Sequence, residues 1–323
     1  MKNALVCLFA SLLACIASDA IAADASDLKY GLYIHFGIPT FANPDEQGTI
    51  PAEHFAPTAL DVKSWAHTAK EAGMTFAVLT AKHESGFCLW DSADYDYDIA
   101  HSQVKTDIIA DFIAACNAEG IAPGVHYSIP DAYNEGVAHG KGPVPPPYFN
   151  VIKKQVTELH TKYPGLRVQI FDVSSRLSPP QWDELNQIVH QLNPQCVILD
   201  ESHAPQDVPV TVVRGWMWRP GAQLTPTPQL LAAYNRATTA GRSFLLNVGP
   251  DRTGNIPANQ VAVLMEMKNL IANPPANNPT SVAPAETKPS AADRLKQVKT
   301  LYDQGLINKE DYDKKVKEIM DSL

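Results

Sequence analysis

Polar and ionisable residues recur at the ends of short apolar runs along this chain. His35 closes one run, Lys82-His83-Glu84 follow a second, and Tyr127 with Ser128 close a third. Asp172 ends a fourth, Asp200 and Glu201 end a fifth, Trp216 and Trp218 follow the next, and Asn247 ends the last. Carboxylates can attack or protonate a glycosidic centre, imidazoles can orient hydroxyls, and indoles can stack on sugar faces. With no phosphate-cradling glycine loop, this set points to carbohydrate chemistry. Two other chemistries fail on spacing. His83-Glu84-Ser85-Gly86-Phe87 has Phe87 where a zinc-protease HExxH helix needs its second histidine. The same stretch has His83 in place of the first glycine of GxSxG, so Ser85 is a poor esterase nucleophile. No metal and no cofactor is implied.

The elements that must position these residues alternate in type. Strand-like apolar runs cover residues 32–36, 76–80, 122–129, 168–172, 196–200, 211–216 and 244–248. Helical patterns fall between them, at 60–72, 106–119, 148–163, 180–192 and 229–240. Near-continuous apolar strands separated by helices mean a parallel sheet covered on both faces. The α/β pattern between residues 28 and 272 predicts a TIM-like (β/α) barrel, irregular and with fewer than eight regular units. A doubly wound open sheet is the alternative, weakened because no GxGxxG follows the first strand. In a barrel the active site lies at the C-terminal strand ends, where the polar residues above fall.

Composition bounds the rest. Hydrophobic residues at 45% and charged residues at 19% can fill a large core and exclude a wholly disordered chain. A net charge of −9, with no Lys/Arg run, argues against nucleic acid. Residues 1–22 read as a signal peptide: Lys2, an apolar run from Ala4 to Ala17, then Ala20-Ile21-Ala22 before the cut. The expected location is exported, periplasmic or secreted. Leu12-Leu13-Ala14-Cys15 resembles a lipoprotein cleavage box, so membrane anchoring would require lipidation of Cys15. Simple secretion is favoured, because Leu13 is uncommon at its place in that box. Cys88, Cys116 and Cys196 would remain, too few for a disulfide framework; one pair could form, but they read as buried free thiols.

The expected domains are a barrel over 23–272, a proline-rich linker over 273–290 and a helical hairpin over 291–323. Leu295, Val298 and Leu301 mark the first hairpin helix; Tyr312, Val316, Ile319, Met320 and Leu323 mark the second. The stretch LYDQGLINKEDYD resembles the C-terminal SHOCT module of bacterial proteins. So small a hairpin has too little core to stand alone, which points to self-association or a protein partner, with a solvated helical tail as the alternative.

The barrel motifs KYGLYIHFGIPTF, SWAHTAKEAGMTFAVLTAKHESGFCLWDS, KTDIIADFIAACNAEGIAPGVHYSI, QIFD and SFLLNVGPDRTGNIP occur in that order over residues 29–258. Together they resemble the α-L-fucosidases of glycoside hydrolase family 29, and the IPTF and CLW segments are closer to its α-1,3/1,4 branch. The resemblance implies a retaining enzyme that removes terminal α-L-fucose from a fucosylated glycan. Asp172 matches the family's nucleophile, and His35 and His83 match sugar-binding histidines. Tyr127 matches an aromatic hydroxyl position, while Trp216 and Trp218 could stack on the sugar. The segment Leu245–Asp251 reads as mainly structural, and Trp90 as packing.

The chain also departs from the family. Glu84 and Ser85 stand where the family has a second histidine and an aspartate. Ile170 and Val173 replace a tryptophan and a glycine around Phe171-Asp172. The GNE segment that carries the branch's acid/base glutamate is missing. Glu201 is the nearest replacement, with Asp200 beside it, Asp207 further on and Glu84 as a second candidate. Two rival functions follow: a glycosidase of altered sugar specificity, and a catalytically inactive glycan-binding protein.

Overall fold

The computed structural model describes residues 28–43, 49–93, 95–136, 141–200, 210–274, 295, 298–299 and 309–320. They divide into two units, residues 1–273 and 274–323. The signal segment, Cys15, Glu201, Asp207 and nearly all of the linker lie outside the described residues.

Seven strands form one sheet: β1 (Tyr30–Ile34), β2 (Phe76–Lys82), β3 (Ala122–Ser128), β4 (Val168–Asp172), β5 (Val197–Asp200), β6 (Val210–Thr211) and β7 (Phe244–Val248). Seven helices accompany them: α1 (Val62–Glu71), α2 (Ile108–Glu119), α3 (Ala132–Glu135), α4 (Pro146–Lys162), α5 (Pro179–Leu192), α6 (Thr227–Thr239) and α7 (Ala258–Ala272). The strand order is β5-β4-β3-β2-β1-β7-β6, and every pairing is parallel. Neighbours follow the chain in one direction, and the first strand lies beside the last. A doubly wound sheet would reverse at a switch point. The winding is that of a barrel, with no pairing between β5 and β6 among the described residues.

β4 and β7 occupy the expected residues, whereas the sixth strand is shorter than its apolar run. It covers Val210–Thr211, so only Thr211 falls in the expected run, and the end of that run is a turn, where Gly215 (φ 106°) and Trp216 (φ 59°) cannot continue an extended backbone. Local chemistry sets the helix ends. Asp61 accepts hydrogen bonds from the backbone N–H groups of Lys63 and Ser64, and Asp107 accepts one from Ala110. Pro146 opens α4 with its φ already fixed and no N–H to leave unsatisfied.

Period-two alternation sorts the strand side chains into two cores. Leu28, Tyr33, Phe76, Val78, Ala122, Val168, Ile170 and Leu245 fill the interior. Leu32, Ile34, Leu79, Val125, Phe171 and Leu246 face the helices. Gly31 makes room inside, since a Cβ there would sit 2.4 Å from the Phe76 ring. One irregularity matters for the site. Thr80 pairs with His126 but Lys82 with Tyr127, so β2 carries an extra residue against β3. This bulge reverses the alternation, turning Lys82 to the helix side with Tyr127 and leaving His83 for the interior.

In the second unit, α8 (Lys309–Met320) buries Ile319 and half-buries Tyr312 and Val316, while Met320 is exposed. Residues 295, 298 and 299 are helical, within the span expected for the first hairpin helix. Among the described residues no helix is long and apolar enough to cross a membrane. Cys88, Cys116 and Cys196 are free and buried, as their small number implies.

Candidate active site

Asp172 is the last residue of β4, on the interior side. The chain then turns sharply at Val173, whose φ of 52° is strained for a β-branched residue. Glycine would adopt that conformation without strain, so this chain makes the turn without the residue that eases it. Ser128 Oγ donates to Asp172 Oδ2 at 3.3 Å, and His126 Nε2 lies 3.6 Å from the same oxygen, just beyond hydrogen-bond reach. Oδ1 is left for other work. Burial pushes the Asp172 carboxyl up, but His126 first, then the charges of His83 and His35, outweigh it and bring its pKa to about 2. Asp172 is therefore ionised at neutral pH.

Three imidazoles surround it. The His35 ring centre lies 5.3 Å from that of His126 and 5.8 Å from that of His83, with His83 and His126 at 6.5 Å. Tyr33 packs edge-on against His35 at 4.3 Å. Burial, then the neighbouring His126 and His83, hold His35 well below the ordinary imidazole pKa. Trp216, 42% exposed, lies 5.3 Å from the His35 ring and forms an indole wall. Trp218 is half-buried in the same loop, with its backbone nitrogen against Gly249, where a Cβ would come within 2.5 Å.

Of the expected site residues, the structure brings together Asp172, His35, His83 and Trp216. It turns Tyr127 away. That side chain is fully buried on the helix side, where its hydroxyl donates to Gln155 Oε1 on α4 at 2.5 Å, so it cannot hold a ligand in the barrel mouth. The interior position is its neighbour His126, which the motif comparison passed over. Alternation could have found it, since residues 124, 126 and 128 share one face. Glu84 sits in the turn after β2, and its carbonyl accepts from Ala132 N at 2.7 Å. Asp200 ends β5, and Glu201 follows it outside the described residues.

Behind the pocket lies a network that the motifs did not reveal. Lys82 and Asp131, both fully buried, pair at 2.9 Å, and Lys82 Nζ stands 4.4 Å above the Tyr127 ring. Burial lowers the Lys82 pKa, but Asp131 and the nearby phenols raise it further, so the ammonium stays charged. Asp131 is likewise pushed up by burial and brought below its ordinary value by Lys82. The Asp131 N–H donates to Glu135, and Glu135 accepts both ends of the Arg176 guanidinium, at 2.8 and 2.5 Å. This chain of charges ties the His83 turn to the loop after Asp172. A surface groove of about 890 Å³ lies elsewhere, on the outer side of α4 between Tyr95, Lys153, Glu158 and Ile188. None of the site residues lines it. Among the described residues, no group of three or more His, Cys, Asp or Glu side chains is arranged to hold a metal ion.

A parallel barrel with an ionised carboxylate, three imidazoles and an indole at its C-terminal strand ends defines a (β/α)-barrel protein of the glycoside-hydrolase type. The sequence profile of the α-L-fucosidases matches residues 47–273. The chain belongs to the α-L-fucosidase family. It is 28% identical over 298 residues to alpha-L-fucosidase 1 of Arabidopsis thaliana, covering 74% of this chain and 58% of that protein. It thus spans little more than half the length of that relative. Among solved structures it resembles α-L-fucosidase isoenzyme 1 of Paenibacillus thiaminolyticus, with a TM-score of 0.64 and 25% identity over 77% of this chain and 74% of that one. It also resembles a family 29 α-L-fucosidase of Bacteroides thetaiotaomicron, trapped as a covalent intermediate in complex with 2-fluoro-fucosyl fluoride. There the TM-score is 0.66, with 20% identity over 76% of this chain and 73% of that one.

Proposed function

We propose that this protein is a retaining α-L-fucosidase, with Asp172 as its nucleophile and a fucosylated glycan as its substrate. One observation carries the reading: a carboxylate held ionised, with one oxygen tethered, in the centre of the imidazole cluster. Asp172 Oδ1 attacks C1 of the terminal fucose and the glycosidic bond breaks, while a carboxylic acid gives its proton to the leaving oxygen. The same acid/base group, now a carboxylate, takes a proton from water as that water attacks C1; the ester to Asp172 breaks, and fucose leaves with retained configuration. Glu201 is our candidate for the acid/base group, since it directly follows β5 beside the Asp172 strand; the two carboxyls of a retaining enzyme stand about 5–5.5 Å apart. His35, His83 and Trp216 hold the sugar, and His126 serves where the motif pointed to Tyr127.

The covalent intermediate of the Bacteroides relative supports the retaining chemistry. The IPTF and CLW segments support a preference for α-1,3/1,4 linkages, the apolar N-terminal run supports export, and the amphipathic α8 supports a SHOCT-like tail. Release of 4-nitrophenol from the aryl α-L-fucoside tests the activity, and Asp172→Ala tests the nucleophile. Full activity in that variant overturns the assignment. Glu84, standing where the family has histidine, favours altered sugar specificity as the second reading. A panel of aryl glycosides separates the two readings, and glycan binding without turnover of any of them would mark an inactive relative.

A further inference from the structure

Asn247 lies in the segment whose sequence reads as a strand and a tight turn. Its side chain is fully buried and spends every polar atom. Nδ2 donates to the Trp216 carbonyl at 2.8 Å and to Thr211 Oγ1 at 3.0 Å, while the Thr211 hydroxyl itself donates to the Val213 carbonyl. A carbonyl can only accept, so the amide has a single workable orientation, with Oδ1 facing His35 Nδ1 at 2.6 Å. Oδ1 can also only accept, which places a proton on His35 Nδ1. The ring is buried beside two other imidazoles, conditions that keep it neutral, so that proton is its only one. Nε2, on the far side of the ring from Asn247, is left with a lone pair and no hydrogen.

We propose that Asn247 is a positioning residue that fixes His35 as a hydrogen-bond acceptor for a substrate hydroxyl and holds the Trp216 wall beside it. The sequence motif marks both histidines as sugar-binding but does not say which of them donates and which accepts. Here the polarity at His35 is fixed: the ligand must bring an O–H to this nitrogen. The same amide accounts for Trp216, a bulky residue at φ 59° whose carbonyl it grips. One side chain thus couples an acceptor and an aromatic wall. The sugar-binding half of the proposal rests on the fucosidase reading, but the tautomer does not.

Nitrogen NMR of the full chain labelled at histidine tests the two halves separately, with the His35 signals identified by their loss in His35→Gln. The wild-type protein is expected to show His35 protonated at Nδ1 alone at neutral pH. An Nε2–H tautomer or an imidazolium there overturns the proposal, whatever the enzyme's activity. Asn247→Leu should release the ring to the Nε2–H form. Asn247→Asp should keep Nδ1 protonated while its negative charge lets His35 take a second proton at higher pH. For recognition, L-fucose and its monodeoxy and monodeoxyfluoro derivatives are compared as competitive inhibitors, since fluorine can accept but not donate. At one position the fluoro sugar should bind about tenfold more weakly than fucose and no better than the deoxy sugar. That difference should vanish in Asn247→Leu. Fluoro sugars that bind like fucose at every position overturn the acceptor role.

Discussion

Replacing His126 by leucine separates what the pocket does for folding from what it does for chemistry. His126 is 1% exposed and has no hydrogen-bond partner on either ring nitrogen; its nearest acceptor is Asp172 Oδ2 at 3.6 Å. Burying polar nitrogens without partners costs about 1–3 kcal/mol. A leucine of similar volume would join the interior around Val78, Val168 and Ile170. At neutral pH the gain from removing those nitrogens is offset by the loss of what His126 contributes to holding Asp172 ionised, so stability there should change by less than about 1 kcal/mol. Activity should fall. Asp172 lies at about 2 against an ordinary 3.8, which is worth about 2.5 kcal/mol in favour of the carboxylate. Burial opposes that shift, and His126 is the foremost of the groups that produce it. Because the folded-state pKa is lowered, this stabilisation is complete above about pH 4 and is lost as the pH falls through about 2. Without His126 the pKa rises, and the acid limb of kcat/KM climbs into the measurable range. At neutral pH, kcat/KM should fall about tenfold as Asp172 loses its orientation. Thermal melts and a kcat/KM profile on 4-nitrophenyl α-L-fucoside from about pH 3 to about pH 8 read both effects. A leucine variant destabilised at neutral pH by more than about 3 kcal/mol, or whose acid limb does not move, refutes the reasoning.

Lys82→Met strands Asp131 in a fully buried site and should cost about 3–5 kcal/mol, with Asp131→Asn in the same chain recovering part of it; denaturant melts of the three variants check this. Tyr127→Phe removes only the bond to Gln155, so it should cost about 1 kcal/mol of stability and leave kcat/KM within about twofold. A large loss of activity in that variant would restore Tyr127 to the site. Val173→Gly relieves a left-handed residue and should gain about 1 kcal/mol, measured by urea unfolding.

The sequence showed most where one physical signal dominated. β4 and β7 are short apolar runs with a polar residue at or next to their C-terminal ends, Asp172 and Asn247, and their bounds were legible to the residue. The sixth run looked like a strand by apolar content, but Gly215 and Trp216 carry positive φ, which hydrophobicity does not encode. At the third strand the choice between His126 and Tyr127 was legible in principle, because alternation assigns them to opposite faces. The phenol drew attention for its chemistry, and the geometry favoured the imidazole. The bulge that turns His83 inward left no mark in the residue types, since it arises from the register of β2 against β3. Asn247 was visible as a polar residue in an apolar strand, but its role depends on His35, 212 positions earlier.

The central claim is that Asp172 attacks the sugar and carries it. Incubating the full chain with 2-fluoro-fucosyl fluoride, digesting it and locating the added mass by peptide sequencing tests that claim most directly. One adduct per chain, on the carboxylate of Asp172, is the predicted result. An adduct on Glu84 or another carboxylate, or continued turnover with no adduct at all, would contradict it.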